Sequence, residues 1–132
     1  MRRLVLTFIV SFALIAITNL FAQQSFALPP EKETAIVDLS DKTLILDKVL
    51  QGKYLFEHDD DRMARGEACM YIYAFADGKA GELVASFHCI PVERKPVKTF
   101  VMSVATSKTP DVYKLTEVQF AGSPKGHIVP EK

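Results

Sequence analysis

The sequence lacks the short motifs by which many enzymes are recognised. It contains no Gly-x-Ser-x-Gly elbow, no glycine-rich phosphate-binding loop and no His-Glu-x-x-His zinc motif. Its two cysteines do not form a Cys-x-x-Cys pair, which argues against a thioredoxin-type redox centre and a covalently attached haem. These absences favour a non-enzymatic protein over an enzyme.

An excess of charge of one sign is also missing. The chain has 16 basic and 16 acidic residues, so its formal net charge is zero. Nucleic acids and anionic membranes attract proteins with a strongly basic surface, and this composition does not supply one. We therefore expect no nucleic-acid partner and no membrane association of the mature chain. An unidentified protein or small molecule is the expected partner.

The first feature that is present is an N-terminal export signal. Two arginines precede an apolar run from Leu4 to Leu20, and small residues follow it. This order is typical of a secretory signal peptide, which we assign to residues 1–27, with cleavage after Ala27 or, alternatively, after Ala22. An uncleaved membrane anchor is the competing interpretation, because the run is near the lower limit for a span. We expect an exported protein, periplasmic or extracellular.

The remaining chain, residues 28–132, has 14 basic and 16 acidic residues, and its 105 residues are enough for one domain. Short apolar runs alternate with turn residues, and no run has helical periodicity over twelve residues. The pattern predicts a single all-β domain, an antiparallel sandwich or barrel of six to seven strands, with one helical turn near 60–65. We expect the leader 28–34 to be irregular and the tail 121–132 to lie over the surface. The predicted strands are residues 35–39, 43–46, 53–58, 69–75, 83–89, 98–104 and 112–120.

Cys69 and Cys89 are equidistant from Lys79. A chain that folds back at Lys79 forms a two-stranded ribbon with the cysteines opposite each other. One apolar face of this ribbon would carry the pairs Tyr71–Phe87, Tyr73–Ala85 and Phe75–Leu83. In an exported chain this predicts a structural disulfide, which would stabilise the fold by about 3 kcal/mol. Metal-binding thiolates and a redox-active pair are the alternatives.

The three histidines are His58 at a strand end, His88 on the other face of the ribbon, and His127 in the tail. Each is consistent with a partly buried imidazole that makes one hydrogen bond. They could also form a copper or zinc site at one rim of the domain, since these metals bind imidazole and carboxylate. The candidate ligands are His58, His88, His127, Asp59 and Asp61.

The highest local concentration of charged residues is the run of three aspartates from Asp59 to Asp61. It does not match a calcium loop of the EF-hand type, because Met63 and Ala64 occupy the fifth and sixth positions. A capped, solvated turn whose acids pair with nearby arginines is the simpler interpretation, and an irregular calcium site is the alternative. We expect this rim to be the contact surface of the domain, with His58, Asp60, Arg62 and Arg65 as the binding-surface candidates.

Three stretches resemble a group of small exported bacterial proteins of unknown function. They run from Gly52 to Cys69, from Phe87 to Val92 and from Gln119 to His127, and together they span most of the mature chain. The resemblance implies an exported bacterial domain, and it implies no activity.

The sequence therefore predicts an exported, non-enzymatic binding or structural module that is stabilised by a disulfide and needs no cofactor. The alternative is a small periplasmic protein that binds copper or zinc at the histidine and aspartate rim.

Overall fold

A computed structural model describes residues 32–131, which form eight β-strands and one short α-helix. The predicted signal peptide, residues 1–27, lies outside the described residues. Within the described range, no helix is long and apolar enough to cross a membrane. The elements are β1 (Lys32–Ile45), β2 (Lys48–Asp59), α1 (Asp60–Ala64), β3 (Met70–Ala76), β4 (Lys79–Phe87), β5 (Ile90–Glu93), β6 (Val101–Thr106), β7 (Val112–Gln119) and β8 (Lys125–Ile128).

The strands form one curled sheet, a half-barrel with the order β4-β3-β2-β1-β7-β8-β5. Strand β6 also pairs with β7. Neighbours are antiparallel except where residues 42–44 of β1 pair in parallel with the start of β7. The prediction of an all-β domain with a short helical turn is confirmed. The sheet has eight strands in place of six to seven, because β5 and β8 were missed while two predicted strands form the single strand β1.

Strand β1 is longer than the sequence predicted. Residues 32–34, which we expected in an irregular leader, already pair with the end of β2. The expected turn at residues 40–42 is a bulge inside β1, where the register with β2 shifts between Leu39 and Thr43. A bulge leaves extra residues unpaired on one strand and bends it, so the two predicted strands are one bent strand.

The ribbon of β3 and β4 has a different register from the predicted one. The chain turns at Asp77 and Gly78, whose φ angles are 52° and 72°. Positive φ at both central residues is typical of a two-residue hairpin turn, and Asp-Gly is a preferred sequence for it. With this turn and two register shifts, Phe87 pairs with Met70 and not with Tyr71.

The changed register reverses the faces of β3. Met70 and Ile72 are fully buried in the core, whereas the predicted core residue Phe75 is only half-buried. Tyr71 faces the other way, and its ring lies 4.3 Å from the guanidinium carbon of Arg62. A shift of one residue moves the side chains of a strand to the opposite face. The predicted pairs Tyr71–Phe87, Tyr73–Ala85 and Phe75–Leu83 are therefore wrong, although Tyr71 is buried as well.

The core fills the inner face of the curled sheet. One row of this face runs across four strands through Ala35, Phe56, Ile72 and Ala85. The Phe56 ring of this row packs against Phe100, and the two ring centroids are 5.6 Å apart. The cluster also includes these buried residues: Val37, Leu39, Ile45, Leu50, Met70, Leu115, Val118, Phe120 and Val129.

The tail does not lie over the surface, as the sequence led us to expect. Residues 125–128 form β8, which pairs with β7 and with β5. Ser123, His127 and Val129 are buried. Gly126 is also buried, and a β-carbon there would collide with the Glu117 carboxylate, which forms a two-contact ion pair with Arg94. Gly126 therefore permits close packing of β8 against Glu117.

Candidate metal centre

The candidate site begins as one row of the inner sheet face. Glu33 of β1 lies opposite His58 of β2, His58 lies opposite Met70, and Met70 lies opposite Phe87. His58, Met70 and Phe87 are buried, and the side chain of Glu33 is 9% exposed. A carboxylate and an imidazole therefore stand side by side on a face that is otherwise apolar.

His127 completes the cluster from β8. Its ring centroid lies 4.0 Å from that of His58 and 6.0 Å from that of Phe120. The side chain of His127 is 1% exposed and that of His58 is 4% exposed. The curl of the sheet brings these two histidines together, although 69 positions separate them in the chain.

Both imidazoles point one nitrogen at the same carboxylate oxygen. His58 Nδ1 lies 3.2 Å from Glu33 Oε2, and His127 Nε2 lies 3.4 Å from it. Neither nitrogen finds a well-formed hydrogen-bond partner among residues 32–131. The two contacts are therefore electrostatic approaches to the same oxygen.

The Glu33 carboxylate remains charged in this setting. Burial by itself would raise its pKa, but polar contacts with His127, His58 and Ser123 outweigh burial. Their net effect holds the pKa of Glu33 well below its ordinary value. The cluster thus combines an anionic oxygen with two imidazole nitrogens.

The outward nitrogens of the two rings also have neighbours. His58 Nε2 lies 3.5 Å from Asp60 Oδ1 at the start of α1. His127 Nδ1 lies 3.6 Å from the Sγ atom of Cys89. A carboxylate behind a metal-binding histidine fixes the orientation of its ring and increases its basicity, and Asp60 occupies that position.

The spacing of the three donor atoms suits a tetrahedral ion. Ligand atoms that each lie about 2.0–2.1 Å from a tetrahedral zinc are about 3.3–3.4 Å from one another. The two nitrogen-to-oxygen distances of 3.2 and 3.4 Å agree with this spacing. All three donors lie within 4.8 Å of one another. Glu33, His58 and His127 could therefore hold a metal ion, with a fourth position left for water.

The predicted disulfide is confirmed and borders the cluster. Cys69 and Cys89 are joined, with their Cα atoms 6.2 Å apart, and both residues are buried. Cys89 lies two residues beyond the end of β4, and Cys69 immediately precedes β3. A nitrogen of His58 and the two sulfurs lie within 4.8 Å of one another.

The structure brings together two of the five predicted metal ligands. His58 and His127 belong to the cluster, but His88 is exposed and lies outside both clusters of possible ligands in the described chain. Asp59 caps α1 by accepting a hydrogen bond from the Arg62 backbone N–H at 3.1 Å. This contact is the main reason that the pKa of Asp59 is lowered. Asp61 is exposed in the first turn of α1.

The predicted contact surface is only partly a surface. His58 is buried, whereas the side chains of Asp60, Arg62 and Arg65 are 31%, 32% and 58% exposed. Arg62 approaches Asp59 and the Tyr71 ring, and Arg65 pairs with Glu67 at 2.8 Å. Asp59 thus pairs with Arg62 as the capped-turn interpretation expected, whereas Arg65 pairs with Glu67 rather than with an acid of the run.

Glu33 is the candidate ligand that sequence reasoning missed. A signal was available, because Glu33 precedes Ala35, Val37 and Leu39 at alternate positions. Alternate residues of a strand share one face, so Glu33 belongs to the face that those apolar residues bury. The two prolines at 29 and 30 made the segment look irregular, and β1 begins two residues after them.

No protein-family model, curated protein or solved structure matches this chain. The functional argument therefore depends on the chemistry of the cluster itself.

Proposed function

We propose that this protein is a small exported metal-binding protein that holds one divalent transition-metal ion with Glu33, His58 and His127. The observation that carries the proposal is the approach of two buried imidazole nitrogens to one carboxylate oxygen, at 3.2 and 3.4 Å. Within the described part of the chain, neither nitrogen has a hydrogen-bond partner. A buried polar atom without a partner costs about 1–3 kcal/mol, and coordination to an ion would remove that cost.

The donor set favours zinc or copper(II) over the alkaline-earth ions. Calcium and magnesium prefer sites made of oxygen ligands. Two imidazoles and one carboxylate instead suit late first-row transition metals, with copper(II) generally bound more tightly than zinc. Three protein ligands would leave a fourth position for water in a tetrahedral zinc site.

A structural role for the same cluster is the second candidate. Glu33, His58 and His127 lie on β1, β2 and β8 and could join these strands without any metal. The low pKa of Glu33 supports this alternative, because the two histidines and Ser123 already stabilise the carboxylate. The two candidates differ in one respect: only the metal-binding function makes the thermal stability of the chain depend on zinc or copper.

Export is part of the proposal. It is supported by the predicted signal at residues 1–27 and by the Cys69–Cys89 bond, since disulfides persist mainly in oxidising compartments. We propose a non-enzymatic role, such as storage or transfer of the ion, with a protein partner that remains to be identified.

The first experiment is native mass spectrometry of the mature protein, purified from the exported compartment without chelator. The expected species begins after Ala27 or Ala22, carries one metal ion, and lacks two hydrogens relative to the reduced chain. A chain that keeps its first 22 residues would contradict export. A metal-free chain that also binds neither zinc nor copper on addition would contradict the metal site.

A set of histidine variants tests the ligands directly. We expect His58→Ala and His127→Ala to abolish stoichiometric zinc binding in calorimetric titrations, while His88→Ala behaves like the wild type. His88 is the matched control because it is exposed and lies outside the cluster. Circular dichroism before each titration checks that the variant is folded. Equal losses in His88→Ala and His127→Ala would contradict the assignment.

A further inference from the structure

A second group of potential ligands overlaps the proposed metal site. A nitrogen of His58 and the Sγ atoms of Cys69 and Cys89 lie within 4.8 Å of one another. The Sγ atom of Cys89 is also 3.6 Å from His127 Nδ1. In the disulfide form these sulfurs are poor ligands, because it is the thiolate that binds metals. The bond therefore masks two donors that already stand beside two histidines.

We propose that metal binding by this protein depends on the redox state of the Cys69–Cys89 pair. In the disulfide form the chain offers Glu33, His58 and His127. In the dithiol form it offers two thiolates together with His58, a set that favours zinc or copper(I). Reduction tightens the binding of such soft ions, and oxidation weakens it again. The inference rests on the proposed function in that both sites use His58.

The redox step is a two-electron exchange with a dithiol. The reductant supplies two electrons and becomes a disulfide, the Cys69–Cys89 bond breaks, and each sulfur takes one proton. An incoming metal ion then displaces both thiol protons to solvent and forms two sulfur–metal bonds. Reoxidation by a disulfide of the same class reverses these steps and returns the ion.

Backbone contacts hold Cys69 in place whether or not the bond is intact. Its N–H donates to the Phe87 carbonyl at 3.2 Å, and its carbonyl accepts from the Asp59 N–H at 2.9 Å. Cys89 immediately precedes β5, whose first residue, Ile90, pairs with Ile128 of β8. The two sulfurs are therefore positioned by the strands around them, and reduction need not disperse the ligands.

Two backbone groups lie close to the Cys69 sulfur. The Cys89 N–H donates to Cys69 Sγ at 2.8 Å, and the Phe87 carbonyl oxygen lies 3.6 Å from the same atom. Two thiolates and neighbouring imidazoles are the donor types of structural zinc sites, and thiolates also select copper(I).

The test uses Co²⁺ as a spectroscopic probe of the full mature chain under nitrogen. One sample keeps the disulfide, and the other is reduced with a phosphine, which is then removed. We expect intense sulfur-to-cobalt charge-transfer absorption in the near ultraviolet from the reduced sample alone, at one ion per chain. In competition titrations, we expect reduction to tighten binding of zinc about tenfold or more, because two anionic ligands are added.

Two variants define the site. Cys69→Ser/Cys89→Ser lacks both the bond and the thiols, and we expect it to show no charge-transfer absorption while keeping weaker binding through His127. His58→Ala keeps the thiols, and we expect it to bind cobalt more weakly than the reduced wild type. Circular dichroism and a proton NMR spectrum of each sample check that the fold is present.

The possible failures are distinguishable. This inference is overturned if the reduced chain shows no charge-transfer absorption, or if it binds zinc no more tightly than the oxidised chain. In either case the proposed function stands if the oxidised chain still binds metal through His127. Charge-transfer absorption that is as strong in the urea-unfolded chain, or a cobalt affinity that is unchanged in His58→Ala, also overturns the inference. No binding in either redox state overturns both proposals.

Discussion

Glu33 shows how a single buried charge can organise a site. A carboxylate on the inner face of a sheet is unfavourable unless polar groups compensate for the lost water. Here two imidazoles and Ser123 supply that compensation, and the pKa of Glu33 falls despite burial. Because all the partners of Glu33 come from other elements, the residue ties β1 to β2 and to the segment around β8.

The first prediction concerns the pH dependence that Glu33 produces. Its pKa is lower in the folded chain than the unfolded value of about 4.3. The charged carboxylate therefore stabilises the fold above that pH, and the contribution is lost as the pH falls below it toward the folded pKa. His58, His127 and Asp60 face the same cluster, so the effect must be isolated by comparison.

We expect the stability difference between the wild type and Glu33→Gln to be largest above about pH 5 and to shrink below about pH 4. Urea denaturation of the metal-free chain, with chelator present, measures it across this range. A difference that stays constant from about pH 6 to about pH 3 would mean that Glu33 is not held in its charged form.

The second prediction concerns Asp60. Its carboxylate lies 3.5 Å from His58 Nε2, behind the nitrogen that faces the proposed metal. Loss of such an outer partner typically lowers metal affinity about 10–100-fold, so we expect an effect of this size from Asp60→Asn. Asp61→Asn is the control, because it removes the same charge from the next, exposed residue. Equal losses of zinc affinity in the two variants would mean that Asp60 acts only through its negative charge and does not orient the His58 ring.

At the scale of the elements, the ribbon of β3 and β4 shows how a turn decides which residues are buried. The sequence alone predicted both strands and the cysteine pair, because alternation and symmetry about Lys79 indicated them. The sequence also contains the correct turn, Asp77–Gly78, but the symmetry of the two cysteines about Lys79 predicted a turn at Lys79 instead. The resulting error in register assigned β3 to the wrong face while leaving Ala85 and Phe87 of β4 on the correct one.

The third prediction tests this register. Ile72 is fully buried between Phe56 and Ala85, so we expect Ile72→Ala to destabilise the fold by about 2–5 kcal/mol. Leu83, which the symmetric register would bury, is 44% exposed. We expect Leu83→Ala to change the stability by no more than about 0.5 kcal/mol. Urea denaturation of both variants decides between the registers, and a larger loss from Leu83→Ala would reject the one described here.

At the scale of the whole molecule, the curl of the sheet brings distant segments together. Strand β8 pairs with β7, and β7 pairs with residues 42–44 near the end of β1. The bulge between Leu39 and Thr43 separates that part of β1 from its first residues, which pair with the end of β2. His127 thereby reaches Glu33 and His58 from the far end of the chain. The tail is part of the core, so its loss would remove a ligand and buried surface together.

The fourth prediction concerns the contribution of the disulfide to the whole fold. The bond joins residues 20 positions apart and closes a loop that contains the β3–β4 ribbon. On the chain-entropy model we expect Cys69→Ala/Cys89→Ala to lower the free energy of unfolding by about 3 kcal/mol. Urea denaturation without reductant measures this value. A loss below about 1 kcal/mol would show that the bond constrains the unfolded chain little and would contradict this prediction.

The sequence by itself determined the all-β class, the helical turn after His58 and the cysteine pair. These features depend on alternation, on turn and capping residues, and on the count of cysteines, all of which act over a few residues or leave no choice of partner. Only the tertiary structure decided that Glu33 joins His58 and His127 while His88 stays outside. That outcome depends on strand register and on the curl of the sheet, which arise from packing across the whole inner face and have no local signature in the chain.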